Sequence, residues 1–177
     1  MTLQGEYLGM QLLLGDEDPE NKEFFEWCGR HELRLQRWKS NGLLSYPPGT
    51  GSPWDGTAEF EWSPVSGLGT VMSYSEVHHA IMPMFGDHLP YLLLRVELDE
   101  QRGQPTEHEA IRVLGNLVTP DGELAPPELT QQVGIGTRVR VVYVDVGDGF
   151  AIPQWTVDEN ADQPTPWRYD DGHGHGP

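Results

Sequence analysis

Histidines are the residues of this sequence with the widest scope for acid–base or metal chemistry, because their unperturbed pKa lies near neutrality. His78 and His79 are adjacent at the end of a predicted strand, so their side chains face opposite sides and do not easily share one metal ion. None of the seven histidines follows the paired spacing of a zinc site, and we expect no physiological metal. His173 and His175 near the C-terminus could capture a transition metal only weakly. Packing at a barrel mouth is the favoured interpretation of His78 and His79, and the alternative is a ligand lip that they form with Tyr91.

Nucleophile and phosphate-binding motifs are also missing from the sequence. There is no Gly-x-Ser-x-Gly motif, and Gly134-Ile135-Gly136 lacks the third glycine of a dinucleotide-binding loop, so a turn is the better interpretation. The single cysteine, Cys28, follows an aromatic run at the end of a predicted helix, where burial is favoured over nucleophilic chemistry. The sequence therefore predicts a protein without catalytic residues of its own.

Charge limits the classes of partner. The formal net charge is −17, from 28 acidic and 11 basic residues. Such a charge repels phosphate backbones and anionic lipid surfaces, so we expect neither a nucleic-acid partner nor a membrane partner. No apolar run is long enough to span a membrane, and the N-terminus lacks a signal-peptide pattern. A lone cysteine also forms no internal disulfide, and we expect a cytoplasmic protein.

Short strands and one helix are predicted to carry these residues. Asp18-Pro19-Glu20 is a typical helix start, and Gly29 offers a stop after the aromatic side of that helix. Alternation and β-branched residues then predict strands over 33–38, 43–46, 59–65, 69–79, 91–98, 111–118 and 138–146, with a returning strand from Phe150. This pattern, with loops rich in glycine and proline, indicates a mainly β protein built on an antiparallel barrel or sandwich.

An ordered succession of segments resembles the acyl-CoA-associated OB-fold family, first catalogued as domain of unknown function thirty-five. The segments that carry the resemblance are Phe24-Phe25-Glu26-Trp27, His31 to Arg37, Gly42 with Tyr46-Pro47-Pro48, Val65 to Val71, Pro90-Tyr91, Leu114 to Val118, Gly134-Ile135-Gly136, and Val144 to Gly149. The resemblance implies an N-terminal arm and helix (1–32), a zinc-ribbon-like hairpin (33–62), an OB-fold antiparallel barrel (63–156) and a disordered acidic tail (157–177).

The ribbon of this chain departs from the family pattern. Where the resemblance implies two Cys-x-x-Cys pairs, the sequence has Trp38 and Asn41, then Ser52 and Asp55. None of these side chains supplies a thiolate, so the sequence predicts a degenerate, metal-free ribbon and no cofactor of its own.

The resemblance also implies a function. Members of the family are companions of thiolase-fold enzymes, so we expect an accessory subunit that supports an acyl-CoA-dependent aldolase or acyltransferase. The partner would hold the CoA thioester, alone or at the interface, and would carry out retro-aldol side-chain cleavage in steroid or lipid catabolism. The expected assembly is a heterotetramer, with a hot-dog-fold hydratase as a possible further member. The predicted contact residues are aromatic and methionine side chains, namely Phe24, Phe25, Trp27, Trp54, Met82, Met84 and Phe85.

Two alternatives remain at this point. A free-standing acyl-CoA-binding module would need basic residues for the CoA phosphates, and the later strands offer Arg95, Arg112, Arg138 and Arg140. Single-stranded nucleic-acid binding is common among OB folds, but here only fold analogy favours it and the acidic charge opposes it.

Overall fold

The computed structural model describes residues 2–147 and 149–169. Its strands are β1 (Leu3–Tyr7), β2 (Met10–Leu14), β3 (Arg34–Trp38), β4 (Leu44–Ser45), β5 (Phe60–Pro64), β6 (Leu68–Val77), β7 (Tyr91–Leu98), β8 (Arg112–Asn116), β9 (Arg138–Gly147) and β10 (Phe150–Val157). The α-helices are α1 (Pro19–Gly29) and α2 (Pro127–Thr130), and 3₁₀ turns cover Pro83–His88 and Glu107–Glu109. The mainly β fold class predicted from the sequence is confirmed.

Helix α1 begins and ends where its sequence predicts. The Asp18 carboxylate accepts a hydrogen bond from the Asn21 backbone N–H at 3.1 Å, and a proline occupies the first turn, where its missing N–H costs nothing. Phe24 and Cys28 lie four residues apart on the same side of the helix, and both are buried. The helix packs along β10 at the side of the barrel.

The N-terminal arm is a β-hairpin, an element that the sequence analysis did not predict. β1 and β2 pair antiparallel, with Leu3 opposite Leu14 and Tyr7 opposite Met10. One face of the hairpin buries Leu3 and Tyr7 against Val146 and Phe150. The arm therefore packs on its own barrel.

A three-stranded sheet in the order β4-β3-β5 occupies the position of the predicted ribbon. Trp38 is fully buried, and its indole N–H donates to the Ser45 hydroxyl at 2.8 Å. The Gln36 side chain is also buried and bonds both the N–H and the C=O of Gly49, at 2.8 and 2.9 Å. Aromatic burial and side-chain amides thus hold this small sheet.

The barrel is a five-stranded antiparallel sheet in the order β10-β9-β6-β7-β8. Its edge strands, β8 and β10, approach in parallel through the Leu117–Trp155 bridge, but they do not pair along their length. The predicted OB-fold class is confirmed, and the barrel is not closed. Its interior is filled by aliphatic residues and one indole: Val71, Leu92, Leu94, Val96, Leu98, Val113, Val139, Ala151 and Trp155.

The chain after β10 runs back over the sheet as far as it is described. Trp167 and Ile135 exchange backbone hydrogen bonds, each 2.9 Å long, and the Asp158 N–H donates to the Arg138 carbonyl at 3.0 Å. The expectation of a disordered tail is therefore corrected for residues 158–169, because main-chain pairing with the barrel orders them. Residues 170–177, including His173 and His175, lie outside the described residues.

Candidate functional site

The aromatic side of α1 divides between the core and the surface. Phe24 is buried, with its ring edge-on to Phe25 at 5.2 Å and 5.5 Å from the ring of Tyr46. The prediction of Phe24 as a partner contact is therefore wrong, since the residue helps to build the core of its own domain. Phe25 is only partly buried and packs against both hydrophobic clusters of the protein.

Trp27 is covered by cations instead of presenting a bare aromatic face. The Arg30 guanidinium lies 4.3 Å from the centre of the indole and the Arg34 guanidinium 4.1 Å from it. Arg34 is also paired with Glu32 at 2.7 Å. Cation–π contacts of this kind contribute about 0.5–1 kcal/mol at exposed sites. The surface at the end of α1 is therefore an indole flanked by two guanidinium groups, one of which is ion-paired with Glu32.

The four positions predicted to be degenerate, metal-free zinc positions lie on two turns of the same shape. In the first turn the Gly42 N–H donates to the Trp38 carbonyl at 2.8 Å, and in the second the Gly56 N–H donates to the Ser52 carbonyl at 2.9 Å. Both glycines have positive φ, +74° and +73°, which glycine adopts without a steric penalty. The two turns therefore share one hydrogen-bond pattern and one glycine conformation.

A hydrogen-bond cluster joins these two turns. Thr57 Oγ1 lies 2.8 Å from Asp55 Oδ1 and 3.0 Å from Ser40 Oγ, and the Thr57 N–H donates to Asp55 at 3.1 Å. Hydrogen bonds from the hydroxyls of Ser40, Thr57 and Ser52 hold the pKa of the Asp55 carboxyl well below its usual range. The cluster brings two of the predicted metal positions together, Ser52 and Asp55, and adds Ser40 and Thr57, which the sequence analysis missed.

The other two predicted metal positions point elsewhere. The indole of Trp38 lies in the core against Ser45, and the Asn41 side chain accepts the Leu43 N–H of its own turn at 2.9 Å. Within residues 2–147 and 149–169 no group of three or more His, Cys, Asp or Glu side chains is arranged to hold a metal ion. Trp54 stands on the second turn with its ring partly exposed.

The loop between β6 and β7 combines an exposed apolar tip with an aromatic base. Ile81 is 94% exposed, and Met82 beside it is also exposed. Below them Phe85 contacts Tyr91, with ring centres 5.2 Å apart, and Tyr7 of the N-terminal hairpin at 6.3 Å. The base fixes the loop on the barrel, so the tip is presented as a supported apolar surface.

The predicted ligand lip does not converge on one point. His78 lies 3.6 Å from the Glu76 carboxylate, and His79 is exposed beyond the end of β6. The Tyr91 ring turns toward Phe85 instead. A ligand bound by these three residues remains a prediction.

Two of the four arginines considered for CoA phosphates are held by carboxylates. Arg138 bonds Asp99 through both terminal nitrogens, one of them at 2.7 Å, and also donates to Thr70 at 2.8 Å. Arg112 lies 3.4 Å from Glu97. Hydrogen bonding to Arg138 lowers the pKa of Asp99. Arg95 and Arg140 form no ion pair with the described residues. Only these two of the four arginines are therefore available for CoA phosphates, whereas the CoA-binding alternative needs a cluster.

An exposed aromatic surface at the C-terminal segment was missed by the sequence analysis. Trp167 is 58% exposed and Tyr169 73% exposed. Arg168 between them anchors the segment, since it donates to the carbonyls of Thr130 and Val133, pairs with Glu76 at 2.9 Å and covers the Tyr74 ring. The two aromatic residues beside Arg168 could have predicted an ordered, exposed segment. The surrounding Asp-, Pro- and Gly-rich composition favoured disorder instead.

Cys28 has no reactive character in this fold. The residue is fully buried, and burial raises the pKa of its thiol to about 12. The same cause raises the pKa of Tyr46 to about 12. The prediction that Cys28 packs in the core is confirmed.

No helix of the described residues has the length and apolar character that a membrane span requires.

The comparisons with known proteins agree with this geometry. Residues 62–144 match the family described as the C-terminal OB-fold domain of ChsH2. A protein of Thermomonospora curvata, named a probable enoyl-CoA hydratase alpha subunit, is 32% identical over 118 residues. This alignment covers 64% of the present chain and 36% of the relative, so the chain spans only about a third of that protein.

Two solved structures share the fold. The structure titled Ltp2-ChsH2(DUF35) aldolase superposes with a TM-score of 0.62 at 25% identity, over 81% of this chain and 98% of the other. A DUF35 protein of unknown function from Sulfolobus solfataricus superposes with a TM-score of 0.51 at 11% identity, over 79% and 86% of the two chains, which shows the fold alone. The match to the ChsH2 C-terminal OB-fold domain thus spans β6 to β8 and most of β9, and the chain is similar over most of its length to the solved ChsH2(DUF35) structure.

Proposed function

We propose that this chain is an accessory subunit, without catalytic residues of its own, that binds and supports a thiolase-fold, acyl-CoA-dependent aldolase. The observation that carries the proposal is the superposition on almost the full length of the ChsH2(DUF35) chain of an aldolase complex. The partner supplies the catalytic residues for the retro-aldol cleavage of a steroid or lipid side chain. The CoA thioester lies on the partner or at the interface, and this subunit holds no cofactor.

The proposed contacts are the members of the predicted set that are not buried, together with the surface found at the C-terminal segment. They are Phe25, Trp27, Trp54, Met82, Met84, Phe85, Trp167 and Tyr169. Aromatic, methionine and arginine side chains are enriched at interface centres, where a few of them supply most of the binding free energy. Arg30, which lies over Trp27 and has no ion pair within the described residues, adds a cation that an acidic residue of the partner can contact.

The proposal includes the composition and location of the assembly. Two copies of this chain and two of the aldolase form a heterotetramer, which a hydratase can join, as the name of the Thermomonospora relative suggests. An unpaired, buried cysteine is consistent with a cytoplasmic complex.

Co-expression with an aldolase of the Ltp2 type tests the proposal. We expect one species by size-exclusion chromatography with light scattering, with the mass of a heterotetramer. Its cleavage of a β-hydroxyacyl-CoA should be lost when the subunits are separated. Two independent peaks, or full activity of the aldolase alone, would refute the accessory role.

Substitution at the surface then locates the interface. Trp54→Ala should weaken the complex by about 2 kcal/mol without unfolding the barrel, because truncation of an exposed anchor removes contact area only. Leu13→Ala, at an exposed apolar residue of β2, is the matched control and should leave the affinity unchanged. Equal affinity of both variants and the parent protein would exclude the second ribbon turn from the interface.

A further inference from the structure

Strand β2 is a free edge of the N-terminal hairpin. It pairs with β1 alone, and its other side has no neighbouring strand among the described residues. Two other edge strands carry features that oppose pairing with a further strand: β4 has only two residues, which Gln101 covers, and β5 contains Glu61 and Pro64. The five residues of β2, Met10 to Leu14, include no charged residue, proline or glycine. β2 therefore lacks these protective features.

The pairing of the hairpin decides which backbone groups of β2 face outward. The two-residue turn Leu8-Gly9, with φ of 49° and 80°, is of the kind that joins a hydrogen-bonded pair, here Tyr7 with Met10. Hydrogen-bonded and non-hydrogen-bonded pairs alternate along an antiparallel ladder. The N–H and C=O groups of Gln11 and Leu13 therefore point away from β1, and no described backbone group pairs with them.

The barrel holds this edge in place. Tyr7 on β1 is buried, and Gly147 passes so close to β1 that a Cβ on it would lie 2.7 Å from a carbonyl oxygen of that strand. Leu12 and Leu14 pack, partly buried, against the same hydrophobic cluster. Leu13, on the opposite face of β2, is 67% exposed. The apolar layer under the hairpin thus ends at an open strand.

We propose that β2 pairs with β2 of a second copy of this chain, antiparallel and across a two-fold axis at Leu12. In this register Gln11 of each copy lies opposite Leu13 of the other, and each such pair exchanges both of its backbone hydrogen bonds. Leu12 meets its own equivalent and Met10 meets Leu14, so the apolar layer continues from one copy into the other. The far side of β1 lies against the barrel, so the contact closes on itself and ends at a dimer.

Charge favours a second copy at this place. The net charge is −17, so two copies repel each other over most of their surface. β2 has no ionisable side chain, and two flanking carboxylates are engaged: Gln11 donates to Glu6 at 3.0 Å, and Lys22 pairs with Asp16 at 2.6 Å. Two copies can therefore meet at β2 with little repulsion. One strand pair buries less than the roughly 1,200 Å² of a standard interface, so the dimer should be weak.

Sedimentation of the full chain, combined with hydrogen exchange followed by NMR, tests the proposal. We expect a monomer–dimer equilibrium as the protein concentration rises to about 1 mM. The backbone amides of Gln11 and Leu13 should become protected as the dimer forms, whereas those of Met10 and Leu12, which bond β1, should be protected at every concentration. A chain that stays monomeric at about 1 mM, or a dimer in which the Gln11 and Leu13 amides exchange freely, would overturn the proposal.

Gln11→Pro and Gln11→Ala are the matched pair of variants. Both remove the side chain that bonds Glu6, but only proline removes the outward N–H, which the hairpin itself does not use. Gln11→Pro should weaken the dimer at least about tenfold and Gln11→Ala by less than about threefold. Leu13→Pro serves the same purpose if Gln11→Pro loses the native spectrum, and equal dimerisation of the proline and alanine variants would refute the pairing.

The aldolase is the competing occupant of this edge. Protection of the Gln11 and Leu13 amides that appears only after an aldolase of the Ltp2 type is added would assign the edge to a strand of that enzyme. This result would overturn the pairing between copies and leave the accessory role intact. Self-pairing in the absence of the aldolase supports the present proposal whether or not the aldolase complex forms.

Discussion

Gln101 joins the three-stranded sheet of the ribbon to the barrel, and replacing it measures how strongly the two parts are held. Its side-chain Nε2 donates to the carbonyls of Leu44 and Glu109, at 2.8 and 2.5 Å, and its Oε1 accepts the Leu44 N–H at 2.7 Å. Leu44 lies on β4, an edge strand of two residues, so the Gln101 amide takes the place of a missing neighbouring strand. Gln101 does this from a left-handed backbone conformation, φ 63°.

The magnitude follows from these contacts. Gln101→Ala removes three hydrogen bonds that contribute roughly 1 kcal/mol each, so the free energy of unfolding should fall by about 3 kcal/mol. Alanine also keeps the left-handed strain, whereas glycine relieves about 1 kcal/mol of it. Gln101→Gly should therefore cost about 2 kcal/mol, and a substitution to glycine should here be milder than one to alanine.

Urea unfolding followed by the fluorescence of buried tryptophan provides the measurement. Gln104→Ala, at an exposed residue of the same cleft, is the control and should change the free energy by less than about 0.5 kcal/mol. If Gln101→Ala costs no more than this control, water replaces the side chain at Leu44 and the bridging role is refuted. If glycine is no milder than alanine, the strain argument fails even though the hydrogen bonds stand.

Three further predictions concern the ribbon and the core. Folding lowers the pKa of Asp55, so the stability that this carboxylate contributes is present above its unfolded pKa and is lost as the pH falls through its folded pKa. The midpoint of unfolding should therefore decrease below about pH 4 in the parent protein, and Asp55→Ala should make this decrease smaller. Trp38→Phe keeps an aromatic ring but removes part of the buried volume and leaves the Ser45 hydroxyl without its donor, so the free energy of unfolding should fall by at least about 1–3 kcal/mol in the same urea experiment. Phe24→Ala should cost about 3–5 kcal/mol of stability, whereas Met82→Ala should change stability by less than about 0.5 kcal/mol and affect only binding to the aldolase.

The elements were predictable wherever a local signal decided them. Asp18 and Pro19 define the start of α1, and the β-branched run of β9 is typical of a strand, so the structure follows the sequence there. The turn at Gly42, between the strands predicted over 33–38 and 43–46, has the positive φ that glycine adopts readily. Short-range chemistry was sufficient in all of these cases.

The misplaced residues depend on contacts between distant segments. Phe24 and Phe25 are identical neighbours in the sequence, but one is buried and the other lines a groove, because helix α1 is rotated by its packing on β10. Trp27 stays a proposed contact, but the surface it presents includes the guanidinium of Arg34 from the next strand, which the sequence analysis did not foresee. Tertiary contacts of this kind decide whether an aromatic residue on a short helix is exposed, and they cannot be inferred from secondary-structure propensities.

Side-chain hydrogen bonds join the two turns of the ribbon. In a zinc ribbon, a metal ion bound by both turns would hold them together. In this chain the Asp55 carboxylate and its three hydroxyl donors lie between the two turns. A solvent-exposed cluster of this kind is weaker than thiolate coordination, so other contacts must hold the sheet as well. The buried Trp38 and the Gln101 bridge are those contacts, one within the sheet and the other to the barrel. Because the Gln101 bridge is anchored on the barrel, the ribbon should unfold together with the barrel as a single transition, unless the bridge is removed.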